Sequence, residues 1–221
     1  MRALNSYAKV QALVGTLIRN SRFQLRSTRV RTLRYLDVGC GPNTNVGLIN
    51  LDYFWSPQVD LCWDISRGLP FADRSLLGVF SEHCLEHFHL PEGMRLLREI
   101  RRVLAPGGTL RLVVPDAELY LRTYVRQMDG ESNLQNPFQY LDAATPPWTP
   151  LRTVDRVFYM DRKSPFGHCT MFDFQLLATV LADCGFAGII RQEFRRGRDP
   201  VLLVDASHRQ IESLYVEAVA E

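Results

Sequence analysis

The stretch Arg34-Tyr35-Leu36-Asp37-Val38-Gly39-Cys40-Gly41-Pro42 is a mostly apolar run that ends in two glycines separated by one residue. Tyr35, Leu36 and Val38 suit a buried strand, while Gly39 and Gly41 let the backbone take positive φ and approach a ligand where a Cβ would clash. A second run, Gly47-Leu48-Ile49-Asn50-Leu51-Asp52-Tyr53, closes on a carboxylate. Ligands of open α/β sheets bind at the carboxyl ends of strands. Gly39, Gly41 and Asp52 are therefore predicted to converge on one molecule carrying a ribose, with Asp52 accepting from both ribose hydroxyls.

Two nucleotide-type ligands fit such a constellation, and spacing separates them. A dinucleotide fingerprint has a third glycine and an acid about 20 residues on. Here Thr44 stands at the third glycine position, Asp52 arrives early, and Asp60 opens a third strand instead of closing the second. Asp37 also occupies a position that dinucleotide folds keep apolar. With this acid ahead of G-x-G, the sequence resembles the class I S-adenosylmethionine-dependent methyltransferases. The resemblance runs on through Asp64-Ile65, Leu69-Pro70-Phe71, His83-Cys84-Leu85-Glu86-His87 and Arg102-Val103-Leu104-Ala105-Pro106-Gly107-Gly108. It spans residues 34 to 115 and is close to a subgroup of the type 11 kind that passes almost directly from the glycine turn into the second strand. It implies a Rossmann-like α/β fold, a seven-stranded, mostly parallel sheet flanked by helices and ending in an antiparallel strand. It further implies S-adenosyl-L-methionine as cofactor, with Tyr53 against the adenine, Asp64 and Ile65 at its amino edge and face, Asp37 anchoring the amino-acid end, and Ser81 to His83 at the mouth of the site.

The chain has 221 residues, 46% of them hydrophobic, enough for one full core. Five cysteines without a C-x-x-C pair predict reduced thiols in a cytoplasmic protein and no structural zinc, and no metal is expected. No apolar run reaches the roughly 18 residues of a membrane span. The net charge of +2 hides an asymmetry, because residues 1–36 carry eight basic residues and no acid, leaving 18 basic against 24 acidic in the rest. That basic arm on an acidic body argues against a general nucleic-acid binder.

Tyr7, Val10, Leu13, Val14, Leu17 and Ile18 recur at helical spacing, so residues 1–33 read as a basic amphipathic helix followed by a polar linker. Such a helix packs on the domain or caps its cofactor side; an acid-free, Arg-rich stripe over residues 1–30 also suits peripheral membrane contact or targeting. Residues 34–221 form the main domain. Only Cys40 to Val46 join the first two strands, too short for the helix that takes a phosphate in dinucleotide folds. Val59 to Trp63, Leu77 to Ser81 and Thr109 to Val114 are predicted as further strands. A helix over Pro91 to Leu104 ends at Pro106-Gly107-Gly108, and Asp116 caps another. After a further helix from Phe174 to Cys184, Gly188 to Phe194 and Ser213 to Ala220 complete the sheet. Residues 129–168, rich in proline and aromatics, have no period and read as a lid or acceptor-recognition insertion.

His83, beside the cofactor, is the candidate general base, with His168 at the end of the insertion as the alternative; Glu86 and His87 are assigned to the scaffold. His83-x-x-Glu86-His87 also matches the inverted zinc-peptidase motif, which needs a helix and a downstream third ligand. The predicted function is methyl transfer to a small-molecule, glycan or lipid-linked acceptor. A zinc hydrolase on that motif and a noncatalytic cofactor-binding scaffold are the rival readings.

Overall fold

A computed structural model describes residues 6–131, 154 and 167–221. Helix α1 (Ser6–Ile18) and the short α2 (Thr28–Thr32) precede strand β1 (Tyr35–Val38). Then come β2 (Ile49–Asp52), β3 (Leu61–Cys62), β4 (Leu76–Glu82), helix α3 (Leu90–Val103), β5 (Leu104–Pro115) and helix α4 (Ala117–Met128). Helix α5 (Phe174–Asp183), β6 (Phe186–Gln192) and β7 (Ser213–Ala220) complete the chain. The seven strands form one sheet in the order β3-β2-β1-β4-β5-β7-β6, parallel throughout except that β7 runs antiparallel to both β5 and β6. This is the Rossmann-like architecture the sequence predicts.

Local chemistry accounts for the elements. Asp116 and Asp173 cap α4 and α5 by accepting from Leu119 N and Leu176 N, which satisfies amides a helix start leaves open. Leu96, Leu97, Ile100 and Val103 share one face of α3 and bury it against the sheet. Alternation in β5 sends Leu110, Leu112 and Val114 to the same core while Arg111 and Val113 point the other way. That second face is covered by residues 193–212, a strap with two 3-10 turns and no α-helix.

Three strands move. The third shrinks to Leu61–Cys62, β5 begins at Leu104, directly where α3 ends, instead of after Gly108, and β6 spans Phe186–Gln192 instead of Gly188 to Phe194. Residues 20–33, expected as a linker, are folded: Arg29 binds Asp60 and the carbonyls of Asn45 and Leu48, Gln24 exchanges hydrogen bonds with the Cys62 backbone, and Val30 is buried in the core. Helix α1 docks through buried Gly15 beside Trp55, leaving Val10, Leu13 and Leu17 more than half exposed. No helix among the described residues is long and apolar enough to cross a membrane. Of the 129–168 insertion, residues 132–153 and 155–166, Trp148 included, lie outside the described residues.

Candidate functional site

The carboxyl ends of β1, β2 and β4 surround a cavity of about 510 Å³ lined by Gly39, Gly41, Asp52, Ile65, His83 and Phe88 among others. Gly39 and Gly41 have φ of 74° and 52°, and the amides of Gly39 and Cys40 both donate to Leu51 O, which draws the turn against β2. Residues 40–48 contain turns and no helix, so no helix N-terminus faces the cavity there. A Cβ on Gly39 would come within 2.5 Å of Cys84 Sγ, so only glycine lets β1 and the end of β4 approach this closely.

Asp52 holds the turn and keeps capacity to spare. Its Oδ2 accepts from Gly41 N at 2.9 Å and its Oδ1 from Phe54 N at 2.7 Å. A carboxylate has about four lone-pair sites, so these two bonds do not exhaust its capacity to accept from a ligand hydroxyl. Burial raises its pKa, and the backbone amides partly offset that rise. Tyr53 lines the cavity with its ring under the Arg19 guanidinium, 3.7 Å from the ring centroid. Asp64 lines it while capping the turn at Ile65–Arg67 through Ser66 N and Ser66 Oγ.

Two predicted residues stand elsewhere. Ser81 is buried below the site, where its hydroxyl donates to Val38 O and ties β4 to β1. It lines neither cavity at the glycine turn. Asp37 points to the opposite side of the sheet, into a second cavity of about 220 Å³ shared with Gly39, Asn45 and Glu82. There it accepts from Asn45 Nδ2 at 2.9 Å, and burial pushes its pKa up to about 7. Residue reading missed Phe54, Trp63, Cys84 and Phe88 as lining residues. Phe54, Trp63 and Cys84 each adjoin an assigned site residue, which was their signal; Phe88 had none.

Residues 55–112 match the family described as "Methyltransferase domain". That stretch is similar to a methyltransferase domain. The match covers β3 to the middle of β5 and leaves the glycine turn and Asp52 outside it. Among curated proteins none is significantly similar to the chain. Solved structures similar to it include a methyltransferase from Thermotoga maritima (14% identity, 85% of this chain and 82% of that one, TM-score 0.49). Another, from Mesorhizobium loti, has 19% identity over 85% and 90% of the two chains and a TM-score of 0.46. The Haemonchus contortus phosphoethanolamine N-methyltransferase 2 with S-adenosylhomocysteine has 13% identity over 85% and 48%, with a TM-score of 0.46.

At the inner end of the cavity, His83 is held with φ 49°, a conformation that residues other than glycine rarely adopt. Its N–H donates to Val113 O, its Nε2 lies 2.8 Å from Ser213 Oγ, and its Nδ1 faces Glu86 Oε1 at 3.5 Å. Burial, with Arg209 next in weight, holds its pKa well below the ordinary histidine value, so it is neutral at pH 7. Both ring nitrogens thus face protein groups, which makes His83 a positioned wall more than a free base. Leu85–His87 form a 3-10 turn, so the five residues from His83 to His87 are not the α-helix that an inverted zinc peptidase requires. His87 belongs to the cavity wall and not to the scaffold alone, and the His168 ring packs edge-on against it at 4.8 Å.

Proposed function

We propose that this domain transfers the sulfonium methyl group of S-adenosyl-L-methionine to a small-molecule or glycan acceptor. The observation that carries the reading is the joint placement of Gly41, Asp52 and an apolar slot on one cavity. Asp52 offers its remaining lone pairs to the ribose, and Leu51, Trp63, Ile65 and Phe88 supply apolar walls of the kind that hold a planar base. A cavity of about 510 Å³ suits a ligand of nucleoside size. A helix-free glycine turn suits a cofactor without phosphate, in contrast to a dinucleotide, whose pyrophosphate sits on a helix N-terminus.

In the reaction the S–CH3 bond breaks with its electron pair staying on sulfur, the acceptor heteroatom forms the new bond to carbon, and the acceptor proton leaves. The donor is already activated, so alignment and exclusion of water supply much of the acceleration. His83 contributes by fixing the end of β4 against β5 and β7, as its contacts with Val113 O and Ser213 indicate.

Calorimetry with S-adenosylhomocysteine tests the reading. The wild-type protein binds it in preference to NAD, and Asp52→Ala weakens binding about 10- to 150-fold, the equivalent of losing roughly 1.5 to 3 kcal/mol of charge-assisted hydrogen bonding. Wild-type affinity in that variant, or preference for NAD, overturns it. Incubation with methyl-labelled cofactor and a lysate of the source organism, followed by mass spectrometry, then identifies the acceptor.

A further inference from the structure

Glu86 is the most anomalous side chain of the molecule. It is 1% exposed, and among the described residues neither of its carboxylate oxygens accepts a hydrogen bond. A buried carboxylate left in that state costs several kcal/mol unless a cation or a proton joins it. Three imidazoles surround it: His83 Nδ1 lies 3.5 Å and His168 Nε2 3.8 Å from Oε1, and one donor atom each of Glu86, His87 and His168 lie within 4.8 Å of one another.

The backbone builds this cluster from two distant segments. The amides of Cys169 and Thr170 both donate to Glu86 O, at 2.7 and 3.1 Å, and Thr170 Oγ1 donates to Phe88 O. A bridge between Asp116 and Phe172 fixes the far end of the same segment. His168 is therefore carried to the site by four neighbouring contacts and not by chance.

We propose that Glu86, His87 and His168 bind one divalent transition-metal ion beside the methyl-transfer cavity. Two histidines and one carboxylate are a donor set such ions take, and it leaves at least one coordination position open. Donor atoms around a tetrahedral ion stand roughly 3.4 Å apart, so closing from 4.8 Å needs side-chain movement of about 1 Å. This ligand set differs from the inverted-peptidase motif, since His83 is replaced by a residue from the 167–172 segment. A further consequence rests on the methyl-transfer reading: because His87 also lines the cavity, the open position receives an acceptor hydroxyl. The ion lowers that hydroxyl's pKa, the O–H proton passes to water, and the oxygen takes the methyl as the S–CH3 bond breaks.

Chelator-treated full-length protein titrated with ZnCl2 and, separately, MnCl2 tests the site without cofactor or acceptor. One equivalent of at least one ion binds to the wild type and raises its melting temperature. His168→Ala and the isosteric Glu86→Gln, each checked by circular dichroism, lose more than the roughly 100-fold that removal of a supporting residue costs. Absence of saturable binding, or equal binding by wild type and both folded variants, overturns the metal site and leaves the methyl-transfer reading untouched. If metal binds as stated but methylation of alcohol acceptors proceeds equally with chelator present, the acceptor role fails while the site stands.

Discussion

The two faces of this sheet are made by alternate residues of the same strands, yet they are held by different physics. On one side Leu36, Val38, Leu51, Val79, Leu110, Leu112 and Val216 meet α3 and α5 in a continuous apolar core. On the other, Arg111 and Glu217 are buried beneath the strap, while Asp37 and Asn50 are buried against Asn45. Arg111 is the clearest case, with 0% exposure and all five N–H groups engaged. Its Nε and Nη2 reach Asp205 at 2.7 and 2.6 Å, its Nη1 reaches Glu217 and Arg196 O, and its Nη2 also reaches Glu193 O. The two faces divide the labour. Apolar burial is nondirectional and supplies the driving force, whereas the guanidinium fork fixes where a segment without helices must lie.

Breaking the polar face produces the largest effect. Arg111→Met strands two buried carboxylates and costs about 3 to 5 kcal/mol in urea unfolding. A loss below about 1 kcal/mol would mean that Leu202 and its apolar neighbours hold the strap by themselves. Replacing Arg111, Asp205 and Glu217 together by apolar residues restores most of that stability, since desolvation of the ions disappears with their attraction. If the triple variant remains as unstable as the single one, the network contributes stability as well as placement.

Leu112, the next residue along β5, probes the other face. Leu112→Ala costs about 3 kcal/mol through lost burial and the cavity left behind. Unlike the Arg111 variant, it leaves the strap's protection from hydrogen exchange at its wild-type level relative to the rest of the sheet. Exchange that rises selectively in residues 193–212 would show that the two faces are coupled.

A smaller, pH-dependent effect belongs to Asp37. Its folded pKa of about 7 lies above the ordinary value of 3.8, so the native state binds more protons between those limits and stability falls as pH rises through them. Asp37→Asn removes that penalty while Asn45 can still donate to the side-chain oxygen. The variant gains about 2 kcal/mol at pH 8, half of the roughly 4 that the full shift represents because the adjoining cavity admits water, and gains nothing below pH 4. Melting curves at both pH values check this, and an equal gain at each would remove the titration of Asp37 as its cause.

Much of the apolar face was legible in the sequence. Leu36 and Val38, the stripe on α3 and the capping aspartates declare themselves within a few residues. The polar face was not legible, because Arg111 and Glu217 sit where an alternating strand usually shows solvent-facing charges. Only the fold reveals that Arg111 faces Glu217 across β5 and β7 and Asp205 from 94 residues away. The candidate site divides in the same way. Gly39, Gly41 and Asp52 are neighbours in sequence, so their meeting at one cavity was legible, whereas the approach of His168 to Glu86 depends on a segment with no period. Ser81 was misplaced because strand alternation alone does not say which hydroxyl closes onto a neighbouring carbonyl.

The contact between Gly39 and Cys84 also gives the cavity a built-in reporter. Cys84 lines the cavity beneath the glycine turn, and burial raises its thiol pKa, so little thiolate is present and alkylation is slow. Its rate of alkylation therefore reports on the cavity, and a ligand seated between Gly41 and Asp52 slows it in proportion to its occupancy.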